Sequence, residues 1–328
     1  RALICWVQLR ISEMIFPAKH KKDLPVEQIP PSLKKAVKTY ILSCVAKLIR
    51  ETSNPHNSML VHVTRFTAVQ GKVATLIRNE LQTLVNRVGD DGDNLEDLQK
   101  IWEKEFIPVT NKLIKLKRSK NKDKITWDKI YENISTIISK IEVKEINGSA
   151  KDTMQYKQAE EYAKGKNLPW EKRGIHIIAI GGDKLSRGLT LEGLTVSYYL
   201  RPSSMYDTLM QMGRWFGYRE GYLDLCRIFT TKEIIQNFQQ ISSAEKNLKE
   251  QFAEMARQGA TPEEFGLAVQ EDPGLLTVTN SGKRRDTNLL DISFSGKQKE
   301  TVAFDPSARK SNNSTLLELL KTCDEKGT

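Results

Sequence analysis

The sequence has little that would place the chain in a membrane or in an oxidising compartment. No stretch approaches the roughly 18 consecutive apolar residues that a membrane span needs, and Arg1–Phe16 lacks the long apolar core of a signal peptide. The four cysteines, Cys5, Cys44, Cys226 and Cys323, form no CxxC pair. This spacing argues against both a metal knuckle and a disulfide framework. We therefore expect a cytoplasmic protein with reduced cysteines and no membrane partner.

The sequence also lacks the phosphate-binding loop of P-loop ATPases. No GxxxxGK[ST] motif occurs in the 328 residues. Asp324 and Glu325 follow a helix-like stretch rather than a strand, so they are poor candidates for the acidic strand end that holds magnesium in those enzymes. The first residue is Arg1 rather than Met. We therefore expect a longer protein, in which a phosphate-binding lobe lies outside this chain or in a partner subunit.

What the sequence has in excess is positive charge. It contains 51 Lys and Arg against 41 Asp and Glu, a formal net charge of +10. Such a balance favours polyanionic partners, because Lys and Arg neutralise phosphates and release counterions. The densest clusters are Lys112–Lys124 and Lys283–Arg285. A solvated helix face and a surface loop explain these clusters at least as well, so charge alone leaves nucleic-acid binding open.

Apolar periodicity predicts alternating helices and strands. Apolar residues recur at helical spacing over Leu33–Leu48 and Val69–Val88, and a longer amphipathic helix is expected over Lys232–Gln258. Continuous apolar runs predict strands at Met59–Val63, Ile175–Ile180, Leu194–Leu200 and Leu223–Thr230. Strands that alternate with helices predict an α/β fold with a parallel sheet and crossover helices.

The pattern divides the chain into several parts. Residues 31–89 and 167–231 carry the predicted strands and form an α/β lobe, preceded by an N-terminal segment over residues 1–30. Residues 90–166 are charged and helical in pattern, so we interpret them as a helical insertion. Residues 232–328 are interpreted as the long helix and a small C-terminal α+β unit. That unit is expected to hold short strands at Leu275–Thr279, Leu289–Phe294 and Thr301–Phe304, a polar mobile segment at Ser307–Asn313 and a last helix at Thr315–Thr322.

Polar and basic residues follow two of the predicted strands. Thr64 and Arg65 follow the first predicted strand, and Lys184 and Arg187 lie in the loop after the second. Ligands of open α/β sheets bind at the carboxyl ends of the strands. Neighbouring strands would bring these side chains together, and a hydroxyl and three cations suit phosphates better than base edges. We therefore expect the four residues to contact a DNA backbone, weakly and without sequence preference.

Several stretches of the chain resemble known motifs. Gly181–Arg201 (GGDKLSRGLTLEGLTVSYYLR) and Tyr206–Phe229 (YDTLMQMGRWFGYREGYLDLCRIF) resemble motifs V and VI of superfamily-two helicases. Both are still more similar to the Z-one domain, a family that accompanies such helicase modules in bacterial proteins often labelled endonucleases. The stretch His56–Gln70 resembles both this family and helicase motif IV. With Pro30–Leu42 and Thr261–Gln270, the resemblance covers most of residues 24–279.

The resemblance implies the second RecA-like lobe of a helicase-type ATPase, which uses ATP and Mg²⁺ in the full-length protein and holds neither tightly by itself. Arg214 is then the implied arginine finger, Arg219 is a second one, and Gln211 holds the helix register or contacts phosphates. A guanidinium suits this role because it stays protonated and stabilises the charge that develops on the γ-phosphoryl group. Helicase motif VI usually spaces its arginines three apart, whereas Gly217 stands three residues after Arg214. Which arginine faces phosphate is therefore open, and the alternative is a pair of surface salt-bridge partners on a helix.

The resemblance also implies nucleotide contacts from small and polar residues. The implied residues are Gly182, Asp183, Ser186, Gly188 and Gly213. A hydroxyl and an unencumbered backbone amide in this loop suit the coupling of nucleotide to a nucleic-acid phosphate. An Asp often follows the Arg-Gly-Leu step of motif V, whereas this chain has Thr190, which puts a ribose contact in doubt there. The alternative interpretation of the loop is a tight strand-to-helix connection.

Two other function classes stay open at the level of sequence. The family label suggests an endonuclease, which needs an Asp and a Glu-x-Lys on adjacent strands to hold divalent ions. Glu142–Lys144 is the nearest match, but the residues before it read as helix, and Asp291–Lys297 is no better. The histidines are scattered, and we interpret His62 and His176 as satisfied core residues of the predicted strands. The third class is a non-catalytic DNA-binding module derived from a motor.

Overall fold

The computed structural model of the chain describes residues 5–9, 16, 20–90, 95–116, 124–146, 156–169, 174–182, 191–201, 209–211, 221–259, 261 and 309–326. The chain divides into two compact units, Arg1–Ser281 and Gly282–Thr328. The first unit contains the sheet. In the described part of the second unit there is one helix.

The first unit is built on one sheet of parallel strands. The strands are β1 (Cys5–Leu9), β2 (Asn57–His62), β3 (Ile141–Ile146), β4 (His176–Gly181), β5 (Leu194–Tyr199) and β6 (Arg227–Thr231). Their spatial order is β1-β6-β5-β2-β4-β3, and every pairing is parallel. The predicted α/β fold with a parallel sheet is therefore confirmed. Strands β2, β4 and β5 are buried along their whole length, which explains their nearly continuous apolar sequences.

Helices connect the strands and cover the sheet. They are α1 (Pro31–Ile49), α2 (Thr67–Gly89), α3 (Glu96–Ile101), α4 (Ile107–Lys115), α5 (Trp127–Ile138), α6 (Tyr156–Gly165) and α7 (Lys232–Gln258). The second unit contains the helix α8 (Arg309–Lys326). A π-helical turn, Trp102–Phe106, joins α3 to α4. Among the described residues, no helix is both long and apolar enough to cross a membrane.

Local sequence signals explain where several helices begin and end. Helix α1 starts at Pro31, where the missing backbone N–H would have no partner in any case. Helix α7 is capped by the Thr231 hydroxyl, which accepts the N–H of Ile234 at 3.3 Å, and it ends at Gly259 with a φ of 65°. The helices predicted over 33–48, 69–88 and 232–258 are confirmed.

The two faces of the sheet carry separate apolar clusters. On one face Met59, Val61 and Ile178 pack with the helices α1 to α5 in the largest cluster. On the other face Leu60 packs with residues of β4 and α6, and Tyr199 packs with residues of α7. Helices therefore cover both faces of the sheet. Polar groups can gather at its two remaining edges, where the strands begin and where they end.

Two sequence interpretations need correction. The strand predicted at Leu223–Thr230 begins only at Arg227, because Leu223–Leu225 forms a 3-10 turn. The turn is fixed by the buried Asp224, whose carboxylate accepts two hydrogen bonds from Arg50 at 2.8 and 2.7 Å. The segment 90–166, interpreted as helical, also contains the edge strand β3. Its alternating exposure explains the charged sequence that hid it.

The C-terminal region departs from expectation at one boundary. Helix α8 begins at Arg309 and not at Thr315, so it includes most of the polar segment that was expected to be mobile. Polar residues fit this helix because they are exposed, and even Leu316 and Leu317 are more than half exposed. The short strands predicted at residues 275–279, 289–294 and 301–304 lie outside the described residues.

Candidate nucleic-acid interface

The carboxyl ends of three adjacent strands form one edge of the sheet. Strand β2 lies between β4 and β5, and its last residue, His62, pairs with Tyr199 at the end of β5. The Leu200 N–H extends this pairing by donating to the His62 carbonyl oxygen at 3.0 Å. Residues that follow β2, β4 and β5 therefore lie side by side. The expected adjacency of the first two predicted strands is confirmed.

Gly182, the residue directly after β4, lies against the turn after β2. A Cβ atom on Gly182 would lie 3.4 Å from the Cα atom of Arg65 and 3.0 Å from the side-chain nitrogen Nε2 of Gln70. A larger side chain would have to push these two residues away. A glycine at this position therefore allows the chain after β4 to begin close to the turn after β2. Its predicted contact with nucleotide stays a prediction.

Thr64 organises the turn after β2 from inside. Its hydroxyl oxygen accepts the backbone N–H of Phe66 at 3.1 Å and lies 2.6 Å from the Nε2 atom of His20. The Gln70 side chain donates to the Thr64 carbonyl oxygen at 3.0 Å. Thr64 is buried, so its hydroxyl serves the turn itself, and its predicted contact with a DNA backbone stays a prediction.

Arg65 is the exposed cation of this turn. Its guanidinium carbon lies 5.0 Å from the centre of the Phe66 ring, a distance at which a cation and an aromatic face attract each other. Arg65 forms no ion pair with any residue in the described ranges. Its side chain is exposed and therefore accessible to solvent.

Arg201 is a second cation at the same edge, and it was not among the residues expected from the sequence. It follows β5 directly after Leu200 and is half-buried. Burial, and then the nearby charge of Arg65, lower the pKa of Arg201 from its usual value. A guanidinium keeps its positive charge in proteins. Its place one residue beyond a predicted strand, at the same edge as Arg65, was the signal that could have found it.

His62, the last residue of β2, is fully buried. Its ring lies 5.3 Å from the ring of Tyr199 in an edge-to-face arrangement, and neither ring nitrogen has a hydrogen-bond partner among the described residues. Burial, and then the charge of Arg201, lower the pKa of His62 to about 3. The expectation of a satisfied core histidine is therefore wrong for His62. It holds for His176, whose Nδ1 atom lies 3.0 Å from the side-chain nitrogen of Asn57.

Most of the predicted ATP-site residues fall outside the described part of the chain. Gln211 is described, and it is an exposed helical residue two positions after the buried Leu209. The predicted site residues outside the described ranges are Asp183, Lys184, Ser186, Arg187, Gly188, Gly213, Arg214 and Arg219. Their roles stay predictions.

The nearest nuclease-like pattern lies on an edge strand. Glu142 and Lys144 are both on β3 and form an ion pair of 3.3 Å with each other. The neighbouring strand β4, which runs from His176 to Gly181, contains no acidic residue. Within the described ranges, no group of three or more His, Cys, Asp and Glu side chains could hold a metal ion. The geometry therefore gives Glu142 no strand-borne acidic partner.

Comparison with known proteins identifies a family for most of the chain. The model of the Z1 domain, the family named above as the Z-one domain, matches residues 32–276. This range includes strands β2 to β6 and the three helicase-like stretches. No curated protein and no solved structure matches the chain.

Proposed function

This chain belongs to the Z1 domain family, and on that premise we propose that it acts as the second RecA-like lobe of a superfamily-two helicase-type ATPase that processes DNA. The observation that supports this proposal most strongly is the meeting of the helicase-like stretches. His56–Gln70 supplies β2, Gly181–Arg201 contributes the end of β4 and all of β5, and Tyr206–Phe229 leads into β6. These strands occupy adjacent positions in the sheet. The first two stretches also reach the carboxyl ends of β2, β4 and β5, where α/β proteins bind ligands.

In this proposal the lobe contributes arginine fingers to an ATP site. Arg214, with Arg219 as the second candidate, stabilises the charge that develops on the γ-phosphoryl group, and Gln211 orients the segment or contacts phosphate. A P-loop lobe, in the same protein or in a partner, supplies the phosphate cradle and holds Mg²⁺. Gly182 and its loop complete the nucleotide contacts.

The lobe also binds the backbone of DNA in this proposal. Arg65 is supported as a contact residue because it is exposed, unpaired among the described residues and placed at the carboxyl edge. Lys184 and Arg187 follow Gly182, whose position against Arg65 favours a shared track. Contacts to phosphate carry no sequence information, which suits a motor that moves along any sequence.

Reconstitution of ATP hydrolysis tests the proposal. The purified chain is expected to hydrolyse no ATP, because it carries the arginine fingers but no phosphate-binding loop. Addition of the P-loop lobe is expected to give magnesium-dependent phosphate release. The control is the P-loop lobe alone, which should hydrolyse ATP far more slowly than the mixture. Hydrolysis by the chain alone, constant in specific activity through repurification, would contradict the division of labour between two lobes.

An endonuclease is the second candidate, and one observation favours it. Glu142 and Lys144 lie on a strand, as a Glu-x-Lys motif of a metal-dependent nuclease requires. The absence of an acidic residue from β4 weighs against it. Cleavage of DNA by the chain with Mg²⁺, lost in Glu142→Gln, would favour this candidate over the motor lobe. ATP contact at Arg214 would count against the third class, a non-catalytic DNA-binding module.

A further inference from the structure

Two arginines stand at the ends of neighbouring parallel strands. Thr64 and Arg65 follow β2, and Arg201 follows β5, with the pairing of the two strands continued to Leu200 by its hydrogen bond to His62. The two chain segments leave the sheet in the same direction because the strands are parallel. Arg65 and Arg201 therefore lie on one small area of the carboxyl edge.

The two guanidinium groups interact electrostatically. Burial is the largest cause of the lowered pKa of Arg201, and the charge of Arg65 is the second cause. Two like charges at short range repel each other, and an anion between them relieves that repulsion. Arg65 has no ion pair with a described residue. Two neighbouring cations attract an anion, and the exposed Arg65 is accessible to it.

Two residues on either side of the turn after β2 carry buried polar atoms without a hydrogen-bond partner among the described residues. Both ring nitrogens of the fully buried His62 lack a hydrogen-bond partner among the described residues, as does the side-chain oxygen of Gln70. Buried polar groups without partners are rare in folded proteins. His62 is the last residue of β2, whose pairing with β5 continues to Leu200, so this shortage of hydrogen bonds lies near the strand ends that Arg65 and Arg201 follow.

We propose that Arg65 and Arg201 bind one and the same phosphate group of a nucleic-acid backbone. Each planar guanidinium offers two parallel N–H donors, and a phosphodiester offers two unesterified oxygens, so two arginines can share one phosphate. The inference rests on the proposed function for the identity of the ligand. It adds a residue that the family resemblance did not assign, and it states how that residue works with Arg65.

The salt dependence of oligonucleotide binding tests the shared phosphate. The whole chain is titrated with a fluorescent oligonucleotide at several salt concentrations, for the wild type, Arg65→Gln, Arg201→Gln and the double variant. Each phosphate contact contributes roughly 0.7 to 0.9 to the slope of log affinity against log salt. We expect each single variant to bind about tenfold more weakly. The slope for the double variant should be shallower than that of the wild type by roughly 0.7 to 0.9, the contribution of one phosphate. Two independent phosphates would instead remove about twice that slope.

Matched variants separate charge from folding. Arg257→Gln removes the same charge from an exposed position near the end of α7 and should leave the slope unchanged. Arg201→Lys keeps the charge and should retain the slope, while its affinity falls because the planar fork is lost. Equal midpoints of urea unfolding for the wild type and Arg201→Lys would show that the loss of affinity does not come from unfolding.

Several outcomes would overturn the inference. The shared site is contradicted if the slope of the double variant equals that of the wild type, or if it falls by the contribution of two phosphates. Either result leaves the proposal that the lobe binds DNA intact. A double variant that binds the oligonucleotide normally but no longer binds a fluorescent ATP analogue assigns the arginines to nucleotide instead. If the wild type binds no oligonucleotide even at low salt, both the inference and the proposed DNA-binding role fail.

Discussion

Gly193 packs directly against the backbone of His56. A Cβ atom on Gly193 would overlap the carbonyl oxygen of His56, and the φ angle of Gly193 is 64°. The carbonyl oxygen of Gly193 also accepts the N–H of Ser58 at 3.2 Å. This contact lies where β2 and β5 begin to pair. The register shifts once after Ser58, and from Met59 onwards the pairing continues to His62 and Tyr199, at the end of the sheet where Arg65 and Arg201 follow the strands.

We expect Gly193→Ala to lower the free energy of unfolding by about 2–4 kcal/mol, since it adds both a backbone clash and an unfavourable φ. Gly259→Ala is the matched control. Gly259 has nearly the same φ, 65°, but a Cβ atom there would meet no other atom within 4 Å, so its substitution should cost only about 1 kcal/mol. Urea unfolding measures both. Equal losses of unfolding free energy in the two variants would show that the close packing of Gly193 against His56 contributes nothing beyond the effect of φ.

The buried ion pair between Arg50 and Asp224 gives a second prediction. Asp224 is almost fully buried, and it receives hydrogen bonds from Arg50 and from the Thr110 hydroxyl. Arg50→Met leaves a buried carboxylate without its cation and should lower the free energy of unfolding by about 3–5 kcal/mol. Lys100→Met removes an exposed partner of Glu96 and should cost less than about 1 kcal/mol. Urea unfolding that gives a small loss for Arg50→Met would contradict the role of this pair in fixing the turn before β6.

The buried histidines predict acid sensitivity. Burial, the largest cause for each, lowers the pKa values of His62 and His176 to about 3, whereas an unfolded histidine titrates near 6.5. Between these values the unfolded chain binds a proton that the folded chain does not, so stability is lost as the pH falls from about 6.5 towards 3. At pH 5 the loss is about 2 kcal/mol for each histidine.

His62→Leu isolates one of these contributions. Its unfolding free energy, measured by urea titration between pH 7.5 and pH 4.5, should depend less steeply on pH than that of the wild type. Near pH 4.5 the variant should take up about one proton fewer than the wild type when it unfolds. His176→Leu should behave in the same way. A pH dependence that neither substitution changes would show that these rings have the same pKa in the folded and the unfolded protein.

The proposed DNA track predicts a salt effect for the loop after β4. Arg65 and Arg187 are expected to contact the backbone from adjacent strand ends, so Arg65→Gln with Arg187→Gln should flatten the salt dependence of oligonucleotide binding by roughly 0.7 to 0.9 for each phosphate released. The binding titration used for Arg201 measures this. An unchanged slope would move the DNA path elsewhere, and substitutions in Lys112–Lys124 would then be the next to measure.

Much of the fold could be predicted from the sequence, because buried parallel strands have continuous apolar runs. The strands containing Met59, Ile178 and Val196 were predicted from that signal. The edge strand β3 was not, since exposure on a sheet edge permits charged residues such as Glu142. The short turn before β6 was also missed, because it depends on the partners that Asp224 finds in distant segments.

The candidate site could be predicted only in part. Arg65 was found because it follows a recognisable strand within a helicase-like stretch. Arg201 was not, because its significance comes from the neighbouring position of β2, which the order of strands along the chain does not show. The unpartnered state of His62 among the described residues likewise depends on three-dimensional packing, since the sequence shows only a histidine within an apolar run.

The most direct test of the central claim is the rate of ATP hydrolysis by the chain combined with its P-loop lobe, measured for the wild type and for Arg214→Ala. If Arg214 is the arginine finger, the variant should hydrolyse ATP about 10³-fold more slowly or worse, while Arg257→Ala, a change at an exposed arginine of α7, should keep the full rate. An Arg214→Ala protein with full activity would contradict the assignment of this chain as the finger-bearing lobe.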